Sequence, residues 1–185
     1  FRLSHYTEKL KQHYQDHPAF VLPRNRRNEM LAMLDQGLDD ISVSRASVKW
    51  GIPVPGDSEQ VIYVWVEALM NYLTSVGGSQ NEEVFQTFWP PTCQIVGKDI
   101  LKFHAIIWPA LLLALDLPLP QTILAHGWIL SGGEKMSKSK GDCPRSHRYF
   151  SSVVKTTSQP SFFAFMLAPP RSWLEKHRSG VRFLD

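Results

Sequence analysis

Residues 93 to 128, "CQIVGKDILKFHAIIWPALLLALDLPLPQTILAHGW", read as strand, helix, strand. The short apolar run in "CQIVG" stops at a glycine. Apolar residues then recur at helical spacing through "KDILKFHAIIWPALLLALDL", and a proline-rich turn leads into a second short run, "TILAHGW". Two strands joined by a helix of this length pair in parallel, because the crossover returns the chain to the edge it left. The same alternation precedes them. "VIYVW" at 61 to 65 reads as a buried parallel strand, and "EALMNYLTSV", closed by Gly77 and Gly78, as the helix that follows it. Repeated strand and helix units predict a doubly wound α/β domain with its ligands beyond the carboxyl ends of the strands. Trp65, Gly97, Lys98, Asp99, His126, Gly127 and Trp128 should meet there.

Upstream, "RLSHYTEKLKQHYQDHP" sets Leu3, Tyr6, Leu10 and Tyr14 on one helical face and stops at Pro18. A second helix is expected in "RRNEMLAMLDQGL", with Met30, Leu31 and Leu34 on one face and Gly37 closing it. Arg24, Arg26 and Arg27 just ahead of it fit a solvated face. "DDISVSRASVKWGIPVPGD" is punctuated by proline and glycine and reads as an extended linker into the sheet. An apolar fraction of 43% and a charged fraction of 20% describe a globular chain, and a net charge of +3 admits an anionic ligand or RNA without requiring one. Cys93 and Cys143 give neither a disulfide framework nor a Cys-x-x-Cys zinc site, so a reducing compartment and no metal centre are expected. No apolar stretch approaches the roughly 20 residues of a membrane span, and the richest is interrupted by Pro109, Asp116 and Pro118. The chain starts at Phe1 without a basic leader and reads as a piece of something longer.

Two features suggest chemistry. Ile100, His104 and Trp108 recur every four residues, as Trp65, Ala68 and Tyr72 nearly do, giving two aromatic-rich stripes that start beside strand ends. Each stripe fits core packing as well as a ligand wall. As a wall, it suits a thioether, since sulfur packs well against ring edges. "GGEKMSKSKG", at 132 to 141, is either a solvated loop or a way to aim Lys135 and Lys138 at a polyphosphate.

These residues resemble a family. "FRLSHY", "SVSRASVKWGIPVPGD", "YVWVEALMNYL", "VGKDILKFHAIIWPALLLALDLPLP" and "AHGWILSGGEKMSKSKG" are similar to stretches in the carboxyl-terminal half of the catalytic region of methionyl-tRNA synthetases, class I aminoacyl-tRNA synthetases of the bacterial-type and mitochondrial branch. "KMSKS" marks the wider class, and the combination with Y-V-W, G-K-D-I-x-x-F-H-x-x-x-W-P and H-G-W points to methionine within it. The resemblance implies the carboxyl-terminal half of a Rossmann-like domain that activates methionine with ATP and Mg²⁺ and transfers it to tRNA(Met). It divides the chain into 1–60, the helical end of a connective region and a linker; 61–141, the second half of the catalytic domain; and 142–185, a divergent tail. Lys135 and Lys138 become the catalytic pair, with Lys138 stabilising charge on the β- and γ-phosphates. Asp99, His126, Gly127, Met136, Ser137 and Lys138 fall on the ATP side, with Asp99 at the ribose. Trp65, Ala68, Tyr72, Ile100, His104 and Trp108 fall on the methionine side, with His104 near the sulfur. Arg45 matches an arginine at the active-site edge.

The family's H-I-G-H type sequence does not occur in these 185 residues, so by themselves they are expected not to form the adenylate. The Ser/Pro/Arg-rich tail, with one short apolar run at 162 to 167, is expected to stay disordered. The rival readings are a class I synthetase for another aliphatic amino acid and a non-catalytic product that binds a partner. The branch implies a mitochondrial matrix setting, or a cytoplasmic one in a bacterium.

Overall fold

The computed structural model describes residues 1–48, 50–78, 80–128, 130–131 and 134–135. A 3₁₀ turn, Leu3–Tyr6, runs into helix α1, Thr7–Asp16. Strand β1, Val21–Leu22, leads to helix α2, Arg24–Asp35. Gln36 caps α2, and Gly37 follows with a φ of 86° that favours glycine. Arg26 and Arg27 thus belong to α2 itself. Arg26 pairs with Glu29, and Arg27 donates to the Tyr14 carbonyl at 2.7 Å.

The strand, helix and strand read from residues 93 to 128 form as expected. Strand β5, Gln94–Gly97, pairs in parallel with β6, Ile123–His126, in a register that sets Gly97 opposite His126. β1 adds a third parallel strand on the other side of β6, giving the order β1-β6-β5. Ile123 N–H donates to the Phe20 carbonyl at 2.7 Å, and the Thr122 hydroxyl donates to that of Ala19 at 3.1 Å. This pairing crosses the division drawn at residue 60. The expectation for 142–185 lies outside the described residues.

The strand expected in "VIYVW" is corrected by the structure. Val61 and Ile62 end strand β4, Asp57–Ile62, which runs antiparallel between β2, Ser44–Arg45, and β3, Pro53–Val54, in a separate sheet. The "WGIPVPGD" segment is consequently half of a hairpin, turning at Gly56 with a φ of 85°, and not a linker. Helix α3 begins at Val64 and runs to Ser75, so Trp65 is helical. An apolar run of five residues serves equally as a strand end or as a first helical turn, and of Val61, Ile62 and Trp65 only Val61 is buried. Helix α4, Glu82–Phe88, was not anticipated. Asn81 caps it by accepting from Val84 N–H at 3.1 Å, and Glu82 and Glu83 sit in its first turn, which is an ordinary start signal.

The helical run from Lys98 to helix α5, Trp108–Ala114, contains Pro109, which has no N–H and whose ring crowds the carbonyl four residues back, that of Ala105. The helix widens there. Residues Phe103–Ile107 form a π turn, and Trp108 N–H donates to the Phe103 carbonyl, five residues back. The Ala105 carbonyl, denied an amide from position 109, instead accepts the Tyr14 hydroxyl at 2.8 Å, and both residues are fully buried. Burial pushes the Tyr14 phenol far above its ordinary range. Tyr14→Phe removes that donor from a buried carbonyl and is expected to cost about 1 to 3 kcal/mol. A urea midpoint that drops with an unchanged slope is the expected result, and an unmoved midpoint means the carbonyl has another donor.

Candidate functional site

Helix α3 and the π turn bring the two aromatic stripes into contact. The Trp65 ring stacks on Phe103 at 4.2 Å with 13° between the planes, and Tyr72 meets His104 and Trp108 at 5.7 and 5.8 Å between ring centroids. Ile100, Trp65 and Tyr72 are partly exposed, Ala68 is exposed, and Trp108 is fully buried against Tyr72 and Trp89. Phe103 was not singled out from the sequence. It falls on the face next to the Ile100/His104 stripe, at the start of the widened turn.

His104 is 3% exposed and both of its ring nitrogens are engaged. A carbonyl can only accept, so Nδ1–H donates to the Ile100 carbonyl at 3.0 Å, and Nε2 meets the Tyr72 hydroxyl at 2.9 Å, accepting from it in the neutral ring that burial favours. Burial holds its pKa below the ordinary 6.5, partly offset by the Ile100 bond. Tyr72 is the partly exposed member of this pair, with its hydroxyl held by the buried His104.

His13 is lowered too, by burial first and by His17 second. Folding favours the neutral form of both histidines. The unfolded chain takes up these protons near pH 6.5, whereas the folded chain resists doing so until lower pH. Stability is therefore full above about 6.5 and declines as the pH falls below it. Urea midpoints measured between about pH 7 and pH 5 are expected to fall, and His104→Gln is expected to flatten that slope. A slope that the variant leaves unchanged would mean that His104 does not titrate differently on folding.

The nucleotide candidates gather where the parallel strands end. Trp128 Nε1–H donates to both carboxylate oxygens of Asp99, each at 3.0 Å, and the Lys98 ammonium lies 4.3 Å from the centre of the Trp128 ring. His126 Nδ1–H donates to the Gly127 carbonyl at 2.6 Å. Of the convergence expected at this edge, Gly97, Lys98, Asp99, His126, Gly127 and Trp128 are together, and Trp65 packs instead on Phe103. The Lys98 and Trp128 partnership with Asp99 was not foreseen.

Lys135 lies in a short antiparallel ladder, β7, Leu130–Ser131, with β8, Glu134–Lys135. Met136, Ser137 and Lys138 lie outside the described residues. Arg45 lays its guanidinium on the Tyr63 ring at 3.9 Å. Both residues line a cleft of about 550 Å³ that shares Phe103 with the stacked pair. Among the described residues no group of three or more His, Cys, Asp or Glu could hold a metal ion, and no helix is long and apolar enough to cross a membrane.

Residues 1–163 match the family described as tRNA synthetases class I (M). The match runs past Gly141, where the motifs read from the sequence end. The methionine–tRNA ligase of Streptomyces coelicolor is 56% identical over 139 residues, which are 75% of this chain and 26% of that protein. That of Thermotoga maritima is 48% identical over 159 residues, 84% of this chain and 25% of the relative. The chain spans about a quarter of the length of these curated relatives. Mycobacterium tuberculosis methionyl-tRNA synthetase in complex with methionyl-adenylate superposes with a TM-score of 0.72 at 46% identity, covering 82% of this chain and 30% of that one.

Proposed function

The chain belongs to the class I tRNA synthetases, group M, and we propose that it supplies the second half of the catalytic domain of a methionine–tRNA ligase, which activates methionine with ATP and transfers it to tRNA(Met). The observation that carries this reading is the joining of two sites by one helical run. The aromatic stack with its Tyr72–His104 pair adjoins the Asp99 carboxylate through a single helical run that begins at the strand end. An aminoacyl-adenylate needs both, an apolar wall for the side chain and a carboxylate for the ribose.

In this proposal Trp65, Ala68, Tyr72, Ile100 and His104 receive the methionine side chain, with Trp108 supporting Tyr72 from the core. Asp99 accepts from the ribose hydroxyls, while His126 and Gly127 border the adenine. Lys135 and Lys138 stabilise phosphate charge, and Met136 and Ser137 lie beside them. The chemistry demands charge stabilisation and positioning and no protein nucleophile. Mg²⁺ enters as the counterion of the ATP phosphates, with no protein ligand set assigned to it. The bacterial-type pattern of the motifs supports a mitochondrial matrix setting, or the cytoplasm of a bacterium.

Amino-acid-dependent exchange of labelled pyrophosphate into ATP, run with each of the twenty amino acids on a full-length protein carrying this segment, tests the reading. Exchange with methionine alone is expected. Exchange with a branched aliphatic amino acid would reassign the pocket, and no exchange with any would favour a non-catalytic product.

A further inference from the structure

A donor equidistant from both oxygens of a carboxylate lies on the plane that bisects the group and is shared between the two oxygens, so a second group that bonds to both meets it there. Trp128 Nε1–H holds that position on Asp99, at 3.0 Å from each oxygen. Two neighbouring hydroxyls of a vicinal diol that bond to both oxygens need the same side, because the outer lone pairs point apart and a diol cannot span them. The indole and the diol therefore compete. The Lys98 ammonium over the indole face, 4.3 Å from its centre, adds a cation–π contact that keeps the ring in place.

We propose that Trp128 is a displaceable occupant of the Asp99 carboxylate, a gate with which the vicinal diol of an incoming nucleotide must exchange. This inference rests on the reading of Asp99 as the ribose residue. It assigns Trp128 a role in regulating that site: hydrogen-bonding capacity of Asp99 stays satisfied until a ligand with two adjacent hydroxyls arrives, and a ligand lacking them cannot evict the indole on equal terms.

Trp128→Phe tests it in a full-length protein carrying this segment, since phenylalanine removes the N–H together with part of the ring and still offers Lys98 an aromatic face. The variant is expected to bind ATP about 3- to 10-fold more tightly, the equivalent of one net hydrogen bond released, and to bind 2′,3′-dideoxy-ATP as the unmodified protein does. In the unmodified protein the indole N–H resonance of Trp128, identified by its loss in the variant, is expected to move on adding ATP and to stay in place on adding 2′,3′-dideoxy-ATP. Equal or weaker ATP binding by the variant, with the dideoxy compound still bound more weakly than ATP by both proteins, overturns the gate and leaves the ribose reading standing. ATP and its dideoxy analogue binding alike to both proteins overturns the ribose reading and the gate with it. An indole resonance, assigned by sequential connectivities in the unmodified protein, that ATP leaves unmoved overturns the gate even if the variant fails to fold.

Discussion

Trp108→Ala is expected to lower folding stability by about 3 to 5 kcal/mol, a large part of the roughly 5 to 15 kcal/mol that holds a domain together. Trp108 is 0% exposed and its ring meets Tyr72 and Trp89, so truncation leaves a cavity bounded by two other aromatic rings that cannot both collapse into it. Its Nε1–H is buried with no acceptor among the described residues. Trp108→Phe, which removes that unpaired donor while retaining most of the volume, is accordingly expected to cost far less. Denaturant unfolding of the two variants side by side measures the difference. Equal, small losses would mean that the ring faces an accommodating space and belongs to an open pocket wall.

Lys138→Ala is the second large effect and falls on chemistry. In a full-length protein carrying this segment, it is expected to slow methionyl-adenylate formation by about 10²- to 10³-fold, roughly 3 to 4 kcal/mol of transition-state stabilisation. Methionine binding should be nearly unchanged, because the lysine acts on charge that develops on the phosphates during the reaction. Single-turnover adenylate formation and equilibrium methionine binding separate the two quantities. An unchanged rate would return residues 135 to 140 to the status of a solvated loop.

The parts of the fold that were legible in the sequence are those whose pattern is long enough to hold a period. Helices α1, α2 and α3 and the run from 98 to 114 each present several turns of apolar spacing, and β5 and β6 are bounded by glycine and proline. β1 is two residues between Pro18 and Pro23, too short for any periodicity, and only the partner strand about 100 residues later makes it a strand. The "VIYVW" run misled because β-branched and aromatic residues serve both a strand end and a first helical turn, and here the run is split between the two. In the candidate site, the stripes at four-residue spacing located Tyr72 and His104, since side chains at that spacing share a helical face. The hydrogen bond between them, the stack of Phe103 on Trp65 and the grip of Trp128 on Asp99 are contacts between residues about 30 to 40 positions apart, which no local pattern encodes.

The attachment of β1 to β6 also orders events during synthesis. Residue 21 leaves the ribosome about 100 residues ahead of its partner at 123, so at roughly 5 to 20 residues per second the strand waits on the order of 5 to 20 s for the other half of its ladder. In that interval α1 and α2 exist without β6 and the helical run before it, and the Phe20 carbonyl lacks the amide that it accepts in the finished fold. The parallel pairing is closed only when Ile123 donates its amide to Phe20, so the sheet that carries the strand ends is among the last parts of this segment to form.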